Sequence, residues 1–278
     1  MKILLDGKAV ASKIKEDVKN EIDKLSYTPK LVVVQIGDNK ASSIYVNNKI
    51  KSCKEVGISS EVIRFSENIQ EDTLLTFIED LNRNKEVNGI LVQLPLPKTI
   101  NEKNILDKID PLKDVDGFHY INSGKLFNGF DSLIPCTPAG IVEILKHYNI
   151  EIEGKHCVIV GRSNIVGKPI SLLMLKENAT ITVCHSKTEN LEYYTKMADI
   201  LIVAVGKPKM IDSNYIKDGA IIIDVGIHRT ENGMCGDVDF EDVIDKVHAI
   251  TPVPGGVGPM TVAMLLKNTV KAAKLQRN

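Results

Sequence analysis

Runs of branched apolar residues alternate along the first half of the chain with stretches in which apolar residues recur with helical periodicity. The runs predict buried strands, and the periodic stretches predict amphipathic helices. The predicted strands are LVVVQIG (31–37), EVIRF (61–65) and NGILVQL (88–94), and the predicted helices cover residues 8–24, 42–56, 71–83 and 102–109. Strands that alternate with helices in this way indicate parallel βαβ units.

The second half repeats this pattern after a stretch with the composition of a loop, DPLKDVDGFHYINSGKLFNG (110–129), which is a candidate domain border. The predicted strands are CVIV (157–160), ATITVC (179–184), DILIVAV (199–205) and AIIIDVG (220–226), and the predicted helices cover 138–148, 167–177 and 258–276. We therefore expect an α/β protein with two α/β domains flanking a cleft, the second a Rossmann-like doubly wound parallel sheet. The expected domains are residues 1–139 plus 260–278, and residues 140–259.

Composition narrows the classes of partner. The 278 residues suit two domains, and the net charge of −1 provides no basic surface for nucleic acid or for an anionic membrane. No stretch is long and apolar enough for a membrane span, so we expect a cytoplasmic protein that binds small molecules. The five cysteines are scattered and the six histidines form no ligand cluster, so we expect free thiols and no metal site.

One position in the helix predicted over residues 42–56 departs from its amphipathic pattern. Lys49 falls in the same arc as Val46 and Cys53, although the helix has a polar face available. Tyr45 lies one turn earlier on that arc. A lysine there can lay its methylenes on apolar surface while its ammonium reaches water, and a functional lysine is the alternative.

A glycine-containing turn follows the strand at 157–160, in CVIVGRSNIVGKP. Such a turn can place a dinucleotide pyrophosphate over the first amides of the following helix. Against G-x-G-x-x-G, Gly161 matches the first glycine, Ser163 and Val166 replace the other two, and Gly167 comes one residue late. The turn therefore indicates either nucleotide binding or a purely structural connection between strand and helix.

The end of the next strand bears on the choice of cofactor. An acidic residue there usually accepts the ribose hydroxyls of NAD, but the sequence reads TVCHSKT (182–188) and contains no carboxylate. Arg162 in the glycine turn could form a forked contact with a phosphate, or could be an ordinary solvated arginine. The combination favours NADP over NAD.

Three further segments carry polar or glycine-rich chemistry at predicted strand ends and loops. In VQLPLP (92–97), Gln93 ends a strand at the edge where ligands gather in open α/β sheets, or is an inert amide. In KDVDGFH (113–119), Asp114 and Asp116 offer carboxylates, or close an aspartate turn. PVPGGVGP (252–259) could be only a hinge between domains.

Taken together, these segments resemble the bifunctional methylenetetrahydrofolate dehydrogenase/cyclohydrolase family. The motifs that carry the resemblance run in the family's order: YVNNK (45–49), VQLPLP, KDVDGFH, IPCTP (134–138), GRSNIVGKP (161–169), DVGI (224–227) and TPVPGGVGPMT (251–261). The resemblance implies NADP-dependent oxidation of 5,10-methylenetetrahydrofolate to 5,10-methenyltetrahydrofolate, and hydrolysis of that product to 10-formyltetrahydrofolate. It also implies a homodimer formed through the nucleotide-binding domains.

The same resemblance implies roles for individual residues. Lys49 would handle proton transfer at the one-carbon unit, Gln93 would tune it, Asp116 would hold the pterin ring, and Tyr45 would stack on the aminobenzoate. The wall of the folate pocket would be shaped by Gly255, Gly256, Val257, Gly258 and Pro259. The NADP site would be lined by Gly161, Arg162, Ser163, Ser186 and Ile227.

Two other functions compete with this interpretation. Short-chain dehydrogenases also use a tyrosine and a lysine four residues apart, but there the glycine turn precedes the pair, whereas Gly161 follows Tyr45 here. A non-catalytic NADP-responsive binding module is the alternative from another class. Such a module would have no use for a lysine on an apolar helix face with a glutamine and an aspartate converging on it.

Overall fold

The computed structural model describes residues 2–231 and 233–277, which form two compact units. The three-stranded unit comprises Lys13–Cys136 and the chain from Val262 onward, and the six-stranded unit comprises the chain up to Ser12 and Thr137–Thr261. The strands are β1 (Ile3–Leu4), β2 (Lys30–Ile36), β3 (Ser59–Phe65), β4 (Gly89–Val92), β5 (His156–Val160), β6 (Thr180–Cys184), β7 (Ile200–Val203), β8 (Ile221–Asp224), β9 (His228–Thr230), β10 (Gly233–Cys235) and β11 (Ala249–Ile250). The α-helices are α1 (Gly7–Ile22), α2 (Lys40–Val56), α3 (Glu71–Arg83), α4 (Glu102–Lys108), α5 (Tyr120–Phe127), α6 (Cys136–His147), α7 (Gly167–Lys176), α8 (Leu191–Thr195), α9 (Phe240–Val243) and α10 (Val257–Leu275).

The three-stranded unit is built on a parallel sheet with β2 between β3 and β4. Its central strand is almost entirely buried, and α3 packs onto the sheet with Leu74, Ile78 and Leu81, which recur at helical spacing. Acidic residues in the first turn of α3 and Arg83 in the last turn complement the helix dipole. These features explain why the local pattern identified the helix.

The six-stranded unit contains a parallel sheet in the order β1-β11-β8-β7-β5-β6. Strand β5 begins the αβ run and lies in the interior, with β6 on one side and β7 on the other. The chain therefore winds in both directions from β5, and the carboxyl ends of β5 and β7 border the topological switch point where such folds bind ligands. Strand β7 is fully buried, as expected for a strand covered on both faces.

The predicted α/β class and the Rossmann-like second sheet are confirmed, and every predicted strand or helix has its ends within two residues of the observed bounds. The pattern did not reveal β1, β11, the antiparallel β9–β10 hairpin or the short helices α5, α8 and α9. Helix α5 lies in the stretch expected to be a loop. His119 caps it by accepting a hydrogen bond from the backbone N–H of Ile121, and its buried residues are Asn122 and Leu126. A helix this short depends on such contacts because its own propensity is insufficient.

The first residues of the chain pack differently from the expected domains. Strand β1 pairs with β11, so the chain up to Ser12 belongs to the six-stranded unit. The expected boundaries at 139/140 and 259/260 stay a prediction. Within residues 2–231 and 233–277, no helix is long and apolar enough to cross a membrane. In the same ranges, no cluster of three or more potential metal-ligating side chains is found.

Candidate active site

Lys49 and Gln93 meet in the three-stranded unit. Lys49 is only 8% exposed, and its Nζ donates a 2.9 Å hydrogen bond to Oε1 of Gln93. The backbone N–H of Gln93 continues the sheet ladder by donating to the carbonyl of Val34, and its Nε2 donates to the carbonyl of Leu94 at 2.7 Å. These two contacts orient the amide with its oxygen toward the lysine. The ammonium therefore ends on a side-chain partner inside the protein, which distinguishes it from a lysine that only covers apolar surface.

The two aspartates of KDVDGFH have different environments. Asp114 is buried, and its carboxylate accepts hydrogen bonds from the backbone N–H groups of Gly117, Phe118 and His119 and from Nδ2 of Asn122. Burial raises the pKa of Asp114, and these hydrogen bonds oppose that rise. Its acceptor capacity is committed to the loop, so Asp114 is the structural member of the pair.

Asp116 is the half-buried member of the pair. Burial raises the pKa of its carboxyl to about 6, the charge of Lys49 lowers it and the charge of Asp114 raises it further. The charge of Lys49 therefore favours the ionised form of Asp116. A carboxyl group that titrates close to neutrality beside an ammonium is the kind of arrangement that active sites contain.

Lys113 is a second buried lysine. The sequence analysis assigned it no structural role. It is 5% exposed, and its Nζ donates to the carbonyl oxygens of Leu81, Asn82 and Asn84 at the end of α3. Burial lowers its pKa. Three carbonyl partners use all the donors of the ammonium, so Lys113 anchors the aspartate loop to the helix end and is not available for chemistry.

Cys136 and Asn268 hold the backbone next to Asp116, and the sequence analysis assigned no role to either. The side chain of Asn268, on α10, donates to the carbonyls of Val115 and Ile134, at 2.9 and 2.8 Å. The thiol of Cys136 donates to the same Val115 carbonyl at 3.4 Å. Burial, together with the charge of Asp116, raises the pKa of Cys136 well above its ordinary value, so the thiol stays protonated.

Tyr45 lies on the surface of α2 and is 45% exposed, although its spacing put it on the apolar arc. The deeper positions of that arc, Val46 and Cys53, are fully buried. An accessible tyrosine face is available to a planar ligand, whereas a core tyrosine would not be. The structure thus places Tyr45 and Lys49 one turn apart on α2, one exposed and one buried.

The glycine turn in the six-stranded unit connects β5 to α7. Gly161 has a φ of +136°, and a Cβ at this position would lie 2.4 Å from the carbonyl oxygen of Ala204. A Cβ at Gly167 would lie 2.3 Å from the carbonyl oxygen of Gly161. Gly167 therefore provides the close packing for which the general fingerprint uses its third glycine, which explains why it comes one residue late. Ser163 caps the turn, because its Oγ accepts from the backbone N–H groups of Val166 and Gly167.

The residues expected to select the cofactor are accessible in this unit. Arg162, Ser186 and Lys187 are exposed, and Ile227 is half-exposed after the end of β8. At the end of β6, His185 turns the chain by donating its backbone N–H to Oγ1 of Thr188. Accessible cations with no carboxylate at the strand end fit a ligand that carries a phosphate on its ribose.

The segment from Gly255 to Pro259 enters α10 in the same unit. The carbonyl of Gly255 accepts from the backbone N–H of Lys8, and the backbone N–H of Gly256 donates to the carbonyl of Pro252. A Cβ on Gly258 would lie 3.2 Å from Cδ1 of Ile227. The structure therefore brings the expected pocket-wall segment next to one of the expected cofactor residues.

Comparisons with known proteins agree with these observations. The family model described as "Tetrahydrofolate dehydrogenase/cyclohydrolase, catalytic domain" matches residues 5–116, and the model for the family's "NAD(P)-binding domain" matches residues 135–277. The chain is similar to the "Bifunctional protein FolD" of Agathobacter rectalis, with 57% identity over 98% of this chain and 99% of that relative.

Two solved structures illustrate the likeness of fold. The bifunctional enzyme FolD-methylenetetrahydrofolate dehydrogenase/cyclohydrolase from Campylobacter jejuni is 51% identical, with a TM-score of 0.97 over 99% of both chains. The Trypanosoma brucei N5,N10-methylenetetrahydrofolate dehydrogenase-cyclohydrolase (FolD), solved with NADP cofactor and inhibitor, is 34% identical, with a TM-score of 0.94 over 100% of this chain and 99% of the other. By sequence motifs, fold and near-complete coverage, this chain belongs to the tetrahydrofolate dehydrogenase/cyclohydrolase family.

Proposed function

We propose that the protein is a bifunctional NADP-dependent methylenetetrahydrofolate dehydrogenase and methenyltetrahydrofolate cyclohydrolase. The observation that carries the proposal is the hydrogen bond between the buried ammonium of Lys49 and Gln93, with the charge of Lys49 acting on Asp116. A purely binding protein gains nothing from burying an ammonium in this way, because desolvating a charge costs free energy.

The oxidation breaks one C–H bond of the methylene carbon, and its electron pair leaves with the hydrogen as hydride. NADP, when bound, supplies the acceptor for that hydride. No protein nucleophile is required, so the protein contributes by holding and orienting the substrate. Asp116 would accept hydrogen bonds from the N–H groups of the pterin, and Tyr45 would stack on the aminobenzoate.

The hydrolysis requires movement of protons. The oxygen of water bonds to the methenyl carbon, the bond from that carbon to N5 breaks, N5 takes one proton, and one further proton is released. Lys49 is the group that would carry a proton between water and the substrate, and Gln93 orients its ammonium. Asp116 would adjust the local charge, because its carboxyl feels the charge of Lys49.

The cofactor residues belong to the six-stranded unit. Gly161 and Ser163 form the turn that would cradle the pyrophosphate, while Arg162 and Ser186 would contact the phosphate on the ribose. Ile227 would supply an apolar surface to the lining of the NADP site. The tight backbone approach at Gly161 and the absence of a carboxylate in the strand end at 182–188 support this assignment.

A single absorbance assay tests the proposal. Purified protein with NADP and methylenetetrahydrofolate should produce NADPH, and added methenyltetrahydrofolate should disappear faster than its uncatalysed hydrolysis. A non-catalytic NADP-responsive module would bind NADP and produce neither signal. Failure of both reactions in protein that binds NADP would therefore favour that alternative.

The proposal also includes the expected location, oligomeric state, domain boundaries and pocket wall. The protein would be a cytoplasmic homodimer formed through its nucleotide-binding domains. Its folate-binding domain would comprise residues 1–139 plus 260–278, apart from the chain up to Ser12, which packs with the six-stranded unit, and its NADP-binding domain residues 140–259. The segment from Gly255 to Pro259 would contribute to the folate pocket. Sedimentation equilibrium and limited proteolysis test the dimer and the boundaries.

A further inference from the structure

A buried carboxylate in the six-stranded unit makes four hydrogen bonds that the proposed reaction does not use. Asp237 is 0% exposed, and its Oδ2 accepts from the backbone N–H groups of Val205 and Gly206, at 2.7 and 2.9 Å. Its Oδ1 accepts from the backbone N–H of Lys207 at 2.9 Å and contacts Nε2 of His228 at 2.7 Å. Three consecutive amides around one carboxylate form a nest, and a charged acceptor makes such bonds strong.

The two segments held by Asp237 both border the proposed cofactor site. Residues 205–207 follow β7, and the preceding Ala204 is the residue whose carbonyl oxygen approaches Gly161 of the glycine turn. His228 directly follows Ile227. The carboxylate therefore ties the loop after β7, at the switch point, to the loop after β8 that presents Ile227.

A second carboxylate holds Asp237 itself in place. Oδ1 of Asp224 accepts from the backbone N–H groups of Gly226 and Asp237, both at 2.9 Å, and Oδ2 accepts from the N–H of Val238 at 2.9 Å. Asp224 ends β8, so its hydrogen bonds fix the backbone of Asp237 relative to the sheet. The arrangement extends from a strand end, through one carboxylate and then another, to the loop after β7.

We propose that Asp237 is a positioning residue for the NADP site, acting through the loop at 205–207 and through the loop that carries Ile227. This inference rests on the proposed function, because it assumes that Ile227 and the glycine turn bind NADP. An asparagine at position 237 keeps the shape but replaces one acceptor oxygen by a donor, which would face N–H groups. The loop at 205–207 and the loop that carries Ile227 would then lose the carboxylate that connects them, while the sheet would stay folded.

The test compares Asp237→Asn with Asp199→Asn as a matched control. Asp199 also accepts a backbone N–H, from His156 at 2.8 Å, and pairs with Lys217, but it lies at the opposite edge of the sheet, before β7. NADPH affinity is measured by fluorescence titration, cyclohydrolase activity is measured without NADP, and thermal unfolding reports stability. Because the cyclohydrolase step uses no NADP, it separates a local effect on the cofactor site from general damage.

We expect Asp237→Asn to weaken NADPH binding by roughly 10-fold or more, with cyclohydrolase activity within about twofold of the unmodified protein. Asp199→Asn should lower the unfolding temperature without changing NADPH affinity. If Asp237→Asn fails to fold, His228→Ala removes a single donor to the same carboxylate and should weaken NADPH binding by roughly threefold.

Unchanged NADPH affinity in a folded variant would overturn the inference, and so would a parallel fall of affinity, cyclohydrolase activity and stability. An unmodified protein that fails to bind NADPH would instead refute the proposed cofactor site, and the inference with it.

Discussion

Nζ of Lys49 lies 2.9 Å from Oε1 of Gln93, so a helix residue and a strand-end residue 44 positions apart in sequence form one hydrogen-bonded pair. The pair is fixed from the strand side, because both the backbone and Nε2 of Gln93 already have partners. The position of the ammonium therefore depends on the sheet as much as on its own helix.

Lys49→Met should separate the two activities. Methionine keeps much of the apolar stem, so α2 should survive, while the group that carries protons is lost. We expect methenyltetrahydrofolate hydrolysis to fall by roughly 10²–10⁴ and hydride transfer to fall less. Methenyl absorbance should accumulate during turnover, and NADPH appearance measured in the same cuvette gives the other rate. Hydrolysis at the unmodified rate would move the catalytic assignment to another residue.

Lys113→Met is the matched control, because it removes the ammonium of a second buried lysine. The carbonyls of Leu81, Asn82 and Asn84 would lose their donor, so we expect the free energy of unfolding to fall by about 2–4 kcal/mol. The ratio of cyclohydrolase to dehydrogenase activity should stay unchanged. Urea titration measures the first quantity and the paired assay the second. A change in the ratio as large as that in Lys49→Met would show that the assay reports general damage.

Asp116→Asn should raise the stability of the protein and weaken folate binding. Burial raises the pKa of Asp116 from 3.8 to about 6 in the folded protein, so the unfolded chain loses its proton first as pH rises. As pH rises from 3.8 to about 6, the free energy of unfolding of the unmodified protein therefore falls. The asparagine variant has no such carboxyl and avoids this fall. We expect the variant to be more stable by on the order of 2 kcal/mol near neutral pH, and to show no gain at about pH 4.

The same substitution should weaken folate binding, because asparagine offers one acceptor oxygen where the carboxylate offers two. In the unmodified protein, the KM for methylenetetrahydrofolate should rise as pH falls through about 6, where Asp116 takes up its proton. Denaturant titrations at the two pH values and a pH series of KM provide the measurements. Equal stability of both proteins at neutral pH would contradict the assigned pKa direction.

Arg162→Ala should reduce the preference for NADP over NAD. A charge-assisted contact to the phosphate on the ribose is worth roughly 1.5–3 kcal/mol, so the ratio of kcat/KM values should fall by about 10- to 100-fold. NAD use should change little, since NAD lacks that phosphate. Arg83→Ala, an exposed arginine on α3 that pairs with Glu79, serves as the control and should leave the ratio intact. Equal use of both cofactors by the unmodified protein would refute the role of Arg162.

Local pattern alone was sufficient for the longer helices and strands and for the fold class. Helical and strand periodicities involve neighbours in sequence, and α3 and β7 carry them strongly enough to be identified without tertiary information. The order of the motifs was likewise sufficient to suggest the family. Elements that depend on distant partners were missed: β1 pairs with β11, and α5 begins at a cap supplied by His119.

The roles of chemically identical residues were decided by the tertiary structure. Sequence could not show that Lys49 meets one amide oxygen while Lys113 is saturated by three carbonyls, nor that Asp114 is committed to its own loop while Asp116 is not. Local pattern could not reveal the role of Asp237, because its partners at 205–207 lie about thirty residues earlier. Burial and hydrogen bonding determine what a charged group can do, and both are set by residues distant in sequence.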